Sequence, residues 1–326
     1  MANRDTTQTG LNLLQPGMLW EKVQARTIDA IACGALQSIP THRECVEHNG
    51  VSFLVRSLDT LTKKEKAKKA EQEKSDAGKP FDPFLPYEED LFVTDLSTTH
   101  LCLLNKFNVV DHHLLIVTRA FEEQEDWLNP QDFSALWRVL REIDGLGFYN
   151  GGRLAGASQP HKHMQLIPPL QSTDTFTFPI ESAFQDLLFP STQQVSSSLS
   201  DSLVSKPQSS HSLPFNHAIA SLSIPLDYSA SQGGDQLMQV YRQLLASIAG
   251  NIDLTGDRQA LHYNLLVTRR WMMLVPRSQE SYASISVNSL GFAGSLFVKD
   301  EKQLQILRQT GPMTVLENVA QPKPPQ

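Results

Sequence analysis

His161-Lys162-His163-Met164-Gln165-Leu166-Ile167 decides how this chain is read. Written as a strand, it sends His161, His163 and Gln165 to one face and Lys162, Met164 and Leu166 to the other, because successive side chains alternate. Same-face neighbours are then about 6.6 Å apart, which suits groups spread along a polyphosphate. An imidazole with its ordinary pKa of about 6.5 is largely unprotonated at neutral pH, so His163 needs only orientation to attack phosphorus. A phosphoramidate on His163 would split a nucleotidyl transfer into two displacements, and Gln165 could donate an amide hydrogen to a phosphoryl oxygen without offering a proton. Two histidines two apart on a strand also occur as metal ligands, and that alternative stays open here.

Upstream, GFYNGG pairs as a strand with this stretch across RLAGASQP, whose small residues allow a tight turn. In that turn the backbone N–H groups of Gly156, Ala157 and Ser158 can face an oxyanion, although the same residues also read as a plain turn. His100 to Phe107 and His113 to Arg119 are β-rich runs joined near Asp111, which predicts a hairpin. Asn129 reads as the N-cap and Pro130 as the first residue of a helix ending near Gly145, with Phe133, Leu136, Trp137 and Leu140 on one face. Met18 to Ala35 reads as an N-terminal helix, and PFDPFLPYEEDL as turn and extended chain. Downstream, NHAIASLSI, the amphipathic helix DQLMQVYRQLLASIAG, the strands HYNLLVTR and WMMLVPR, and a last helix KDEKQLQILRQ follow in order.

Strands joined by short turns with helices inserted irregularly predict an α+β fold: a mainly antiparallel sheet with flanking helices. Along the chain this divides into an N-terminal helical and β segment (1–60), a catalytic core (61–194), a serine-rich loop (195–212), a C-terminal α+β part completing the site (213–312) and a tail (313–326) too polar and proline-rich at its end to pack. The charged stretch TKKEKAKKAEQEKSDAG reads as a solvated helix or linker. No period marks a repeat protein, and neither glycine-rich phosphate loop, GxGxxG or GxxxxGK[ST], is present.

A net charge of −7 argues against general nucleic-acid binding, so an anionic small ligand requires a locally positive pocket. With 40% hydrophobic and 19% charged residues the chain has globular composition. It carries no run of about 18 apolar residues and no secretory leader pattern, which predicts a cytoplasmic protein without a membrane partner. Cys33, Cys45 and Cys102 are too few and too scattered for a disulfide framework. His42, Cys45 and His48 are plausible zinc ligands by type, but no CxxC or HExxH accompanies them, so no metal site is expected.

The blocks LLNKFNVVDHHLLIVT, FYNGG, AGASQPHKHMQ, YNLLVTRRWMMLVPRS and VNSLGFAGSLFVKD, in this order, resemble the diadenosine tetraphosphate phosphorylases (ATP adenylyltransferases), the transferase branch of the histidine-triad superfamily. The resemblance runs from about Leu61 to Lys299 and implies a histidine-triad-like fold. It makes His163 the nucleophile that takes AMP while ATP leaves, with inorganic phosphate then releasing ADP. It also implies that His161 positions the nucleophile and that Gln165 contacts phosphate. Nucleotide contacts carry over to Asn105 and Lys106 on the first strand of the hairpin, to Asn150, to Gly156, Ala157, Ser158 and Gln159, and to Asn288, Ser289, Leu290, Ser295 and Lys299. Lys64 matches a family lysine through a lysine-rich stretch in which Lys63 or Lys66 fits as well. Ser295 stands where the family carries methionine, which points to its backbone. No cofactor is required; a divalent cation such as Mg can accompany the nucleotide. The partners implied are nucleotides and phosphate, with adenosine phosphosulfate as a further substrate.

Two other readings remain at this stage. Hexose-1-phosphate uridylyltransferases share a histidine two residues before a glutamine, but they read His-Pro-His, where this chain has Lys162, and they use an early cysteine pair absent here. A nucleotide sensor would keep the pocket and lose the chemistry.

Overall fold

The computed structural model describes residues 14–58, 82–170, 177–188, 203–248 and 256–324. In chain order its principal elements are α1 (Leu19–Cys33), β1 (Thr41–His48), β2 (Val51–Leu58), β3 (Phe92–Asp95), β4 (His100–Leu104), β5 (Leu114–Thr118), α2 (Pro130–Leu140), β6 (Leu146–Gly151), β7 (His163–Ile167), β8 (Ala218–Ser221), α3 (Ala230–Ile248), β9 (Tyr263–Val267) and β10 (Trp271–Pro276). The short pair β11 (Ser281–Tyr282) and β12 (Ile285–Ser286), α4 (Ser289–Phe292), β13 (Ser295–Val298), α5 (Glu301–Thr310) and α6 (Pro312–Val319) complete them.

Eight strands make one sheet in the order β3-β4-β5-β7-β6-β9-β10-β8, antiparallel at every step. The α+β expectation therefore holds, and the strand bearing His163 lies near the middle of the sheet. β1, β2 and β13 form a second sheet, in which β2 pairs antiparallel with β1 and parallel with β13, setting Leu54 beside Ser295. Each sheet joins strands far apart in sequence, so the intervals read along the sequence are stretches of one architecture.

Each face of the large sheet buries a different cluster. On one, Met164 and Leu166 join Leu136, Phe133, Tyr241 and Leu244 beneath α2 and α3. On the other, Phe148, Leu266 and Met273 pack with Phe53, Phe292 and Leu316, while a separate patch of Leu101, Leu103, Leu115 and Val117 is covered by Phe84. His163 and Gln165 belong to this second face, opposite Val117 and Leu115 in register. The polar row thus occupies the seam between two apolar clusters, where hydrophobic burial does not demand a cover.

Several elements depart from the sequence reading. The Asn129 cap and its Pro130 are as expected, with a reciprocal bond from Asp132 to the Asn129 amide, but the helix stops at Leu140 rather than near Gly145. β4 ends at Leu104, so Asn105 and Lys106 sit in the turn beyond it rather than on the strand. α3 starts at Ala230, five residues before the amphipathic pattern does, because Gly233 and Gly234 let it lie directly against α2. Of the serine-rich stretch, residues 203–212 run along the sheet edge, with Val204 and Gln208 bridged to Leu222 and Ile219 and Ser210 buried; the remainder lies outside the described residues. The expected tail is largely the helix α6, whose Met313, Val315, Leu316 and Val319 are core residues, and Pro322 bridges to Phe215. Lysine-rich residues 62–78, including Lys64, lie outside the described residues.

The α2–α3 contact rests on an absent side chain: a Cβ on Gly233 would stand 2.2 Å from the Trp137 indole nitrogen, buried beneath the helix. Gly233→Ala is expected to lower stability by about 1–3 kcal/mol through overpacking, read as a fall in the urea midpoint at unchanged slope.

Candidate active site

β7 supplies the row with the predicted alternation. His161 sits just before the strand, bridged to Glu123, and its ring is buried against Phe84 and Phe121. Its Nδ1 lies 2.8 Å from Asp82 Oδ2, and its Nε2 lies 2.9 Å from both the carbonyl and the hydroxyl of Thr118. His163 stacks at a tilt on Phe84, with ring centroids 5.3 Å apart. Its Nδ1 is 2.8 Å from the carbonyl oxygen of His161. A carbonyl only accepts, so Nδ1 carries the hydrogen and the lone pair is left on Nε2. Burial pushes this imidazole down to about 4, which keeps it neutral and nucleophilic well below neutral pH.

Gln165 is held the same way. Asn105 Nδ2 can only donate, and it lies 3.1 Å from His113 Nδ1; His113 Nε2 in turn lies 2.9 Å from Gln165 Oε1. With Nδ1 accepting, Nε2–H donates to Gln165, whose oxygen is thereby engaged and whose NH₂ is the end left to meet a ligand. Asn105 reaches the row through His113, a residue the sequence pattern did not single out.

Behind the row, Lys162 points to the opposite face, as alternation requires, into a buried polar knot. Its ammonium is 2.9 Å from Asp132 Oδ2, 3.1 Å from Glu122 Oε2 and 3.0 Å from the Trp127 carbonyl. Asp132 Oδ1 is also 2.9 Å from His100 Nε2. Burial would push the Asp132 carboxyl up, but the hydrogen bonds and charges of His100 and Lys162 hold it below its usual value. The same burial lowers the Lys162 ammonium, and Asp132 and Glu122 more than restore it, leaving it raised.

A second network gathers other residues implied by the resemblance. Asn150 Oδ1 accepts from Asn264 Nδ2 at 2.9 Å, from the Ser289 amide at 3.0 Å and from the Ser289 hydroxyl at 2.7 Å. Asn264 in turn accepts from the buried Arg277 at 2.6 Å. Asn288 caps α4 by accepting from the Leu290 amide. Gly156, with φ at +86°, brings its Cα so close that an added Cβ would lie 2.9 Å from the Asn288 Cβ. Only glycine fits both the angle and the approach.

These bonds revise several expectations. The Gly156 and Ala157 amides donate to the Arg153 and Gly152 carbonyls, so they close the turn instead of cradling an oxyanion. The Ser289 and Leu290 amides and the Ser289 hydroxyl are likewise engaged within the protein. Ser158 is exposed and Gln159 half-buried in the segment leading to His161. Lys106 pairs with Glu88 at the surface. Ser295 is fully buried in β13 with its hydroxyl unpartnered, and Lys299 is exposed just beyond that strand, in the smaller sheet. Along β1, His42 and His48 alternate away from Cys45, and His48 accepts from the Met313 amide. Among the described residues no three His, Cys, Asp or Glu side chains gather as metal ligands. Of the other residues that shape the site, His113, Thr118, Asn264 and Arg277 lie inside the matched blocks without a pattern that singles them out, and Asp82, Phe84 and Gln124 lie outside them.

A buried, singly oriented imidazole beside a fixed carboxamide on an antiparallel sheet is the arrangement that the resemblance to the transferase branch of the histidine-triad superfamily implies. Comparison with known proteins gives the family. The Ap4A phosphorylase N-terminal domain matches residues 9–186 and the ATP adenylyltransferase C-terminal domain residues 211–322. The chain is 31% identical over 264 residues to the diadenosine 5',5'''-P1,P4-tetraphosphate phosphorylase 2 of Saccharomyces cerevisiae, spanning 74% of this chain and 76% of the relative. Crystal structures of yeast Ap4A phosphorylase Apa2 in complex with Ap4A and with AMP each superpose with a TM-score of 0.71 at 26% identity, covering 94% of this chain and 98% and 99% of theirs. This chain belongs to the Ap4A phosphorylase family.

Two outcomes follow from the buried groups. Lys162→Met is expected to cost about 3–5 kcal/mol in chemical denaturation, since it strands Asp132 without its cation, and adding Asp132→Asn should recover part of the loss. His163 and His217, both pushed down by burial from 6.5 to about 4, are neutral when folded and protonated when unfolded between those values. Their contribution to stability is therefore lost as pH falls from 6.5 towards 4. The thermal midpoint should drop over that window, and His163→Gln should show a shallower slope.

Proposed function

We propose that this protein phosphorolyses diadenosine tetraphosphate to ATP and ADP through an AMP–histidine intermediate on His163. The observation that carries the reading is the His163 ring itself: its hydrogen is committed to the His161 carbonyl, so the Nε2 lone pair faces the seam. In the first displacement Nε2 attacks the α-phosphorus of one adenosine half, the bond to the bridging oxygen breaks, and ATP leaves with that oxygen. In the second, an oxygen of inorganic phosphate attacks the same phosphorus, the P–N bond breaks, ADP departs and His163 is restored neutral.

Gln165 supports this reading because its NH₂ can stabilise a phosphoryl oxygen without delivering a proton, which favours handing AMP to phosphate over handing it to water. Lys106, half-buried and paired with Glu88, and the exposed Lys299, both assigned to the ligand by the resemblance, supply charge for the polyphosphate in a chain of net charge −7. Asn150, Asn288 and the turn at Gly156 form the wall against the nucleotide in this reading; Asn150 and Ser289 shape it through their network, and the exposed Ser158 and half-buried Gln159 join it by resemblance. Lys64 belongs to the same set by resemblance alone. Magnesium, where present, enters on the phosphates of the nucleotide. The partners are nucleotides and phosphate, and the work is placed in the cytoplasm; no helix among the described residues is long and apolar enough to cross a membrane.

Incubation with diadenosine tetraphosphate in the absence of phosphate, followed by peptide mass spectrometry, is expected to find one AMP on His163. His163→Ala should lose the adduct and at least about 10²-fold of turnover. An adduct on another residue, or normal turnover by the variant, would sink the proposal.

A further inference from the structure

β6 and β7 part company at the nucleophile. Their ladder pairs Leu146 with Ile167, Gly147 with Leu166 and Phe148 with Gln165, and continued in register it would set Asn150 directly opposite His163. It does not continue. β6 runs on to Gly151 against β9, and β7 extends back to His163 against β5, so each strand keeps its outer neighbour while the inner edges separate. Such a split would leave buried backbone groups without partners, a costly arrangement.

The side chain of Gln124 fills it. Gln124 is 2% exposed and comes from the segment between β5 and α2. Its Oε1 accepts from the His163 amide at 2.8 Å, and its Nε2 donates to the Asn150 carbonyl at 3.0 Å and the His163 carbonyl at 3.3 Å. One carboxamide thus takes both backbone bonds that His163 would otherwise exchange with Asn150. Gln124 is itself anchored: its amide donates to the Pro160 carbonyl at 2.6 Å, and its carbonyl accepts from the Tyr149 hydroxyl and, at 3.1 Å, from Gln259 Nε2. A carboxamide is what the gap requires, since it must accept from an N–H and donate to carbonyls at once.

We infer that Gln124 is a positioning residue for the reaction: it sets the backbone of His163 and locks it to the strand carrying Asn150, so that nucleophile and nucleotide wall move as one body. A group at this split holds the nucleophile while leaving β7 free of β6 at that point. The inference rests on the reading of His163 as nucleophile. Displacement of a nucleophile by about 1 Å costs up to about 10²-fold in rate without loss of binding, and that is the signature expected here.

The test compares the unsubstituted protein with Gln124→Met, which keeps the shape and loses all three bonds, and with Gln124→Glu, which keeps the acceptor for the His163 amide. Single-turnover formation of the AMP adduct should slow by about 10- to 100-fold in Gln124→Met and less in Gln124→Glu, with KM and AMP affinity within about 2-fold. Adduct formation at the unsubstituted rate in a folded variant, or a loss confined to KM, overturns the inference and leaves the nucleophile reading standing. An unsubstituted protein that forms no adduct overturns both. Hydrogen exchange on the unsubstituted protein keeps the question open to measurement even where a variant does not fold: the His163 amide should be protected like those of its β7 neighbours, and rapid exchange there removes the bond on which the inference stands.

Discussion

One carboxylate ties together the elements that must agree before the site can exist. Asp132 accepts from the ammonium of Lys162 just before β7, meets the ring of His100 on β4 and accepts from the Asn129 amide that opens α2. A buried ion pair earns little net stability against its desolvation, but breaking it is expensive, so the arrangement selects one packing of helix on sheet rather than a deep energy minimum. With Lys162 drawn to the helical face, its neighbours on either side have only the other face to occupy. The alternation that presents His161 and His163 at the seam is thus enforced from behind.

The front of the strand shows the complementary logic. His163 and Gln165 each have one end spent on the protein and the other left over, His163 Nδ1 on a carbonyl and Gln165 Oε1 on His113, while His161 and His113 are engaged at both ring nitrogens. Tautomers and amide orientations are therefore settled before a ligand arrives, which lowers the reorganisation needed during a displacement. The buried Arg277 extends this order to Asn264, Asn150 and Ser289, and its five donor hydrogens meet neutral oxygens throughout. Burial pushes its guanidinium down to about 9, and the Glu280 carboxylate partly opposes that shift.

What could be read from the sequence was what depends on local period. The row of His161, His163 and Gln165, the Asn129 cap and the β4–β5 hairpin follow from alternation, capping and turn chemistry, which neighbouring residues determine. The site's other contributors obey no such rule. Gln124, Asp82 and His113 are ordinary polar residues until the fold carries them to β7, and the Ser289 and Leu290 amides become unavailable only because Asn150 and Asn288 claim them. Helix α6 is hidden in the sequence by its polar flank QPKPPQ, although Met313, Val315, Leu316 and Val319 supply the apolar positions that bury it. The early start of α3 was hidden for the opposite reason: Gly233 and Gly234 read as breakers in isolation, while against Trp137 their lack of a side chain is what makes close packing feasible.

The parallel partnership of β2 and β13 joins residues near one end of the chain to residues near the other. Leu54 cannot find Ser295 until nearly all of the polypeptide is available, and the large sheet likewise closes only when β9 and β10 lie against β6. Neither family-matched half owns a complete sheet: an isolated N-terminal portion would present the bare edges of β2 and β6, rows of unpaired amides and carbonyls ready to pair with another copy. During synthesis the strand bearing His163 emerges well before the strands that buttress it. The waiting chain must therefore keep its inner strands from pairing elsewhere until the C-terminal third arrives, and its long-range topology makes folding slow by construction.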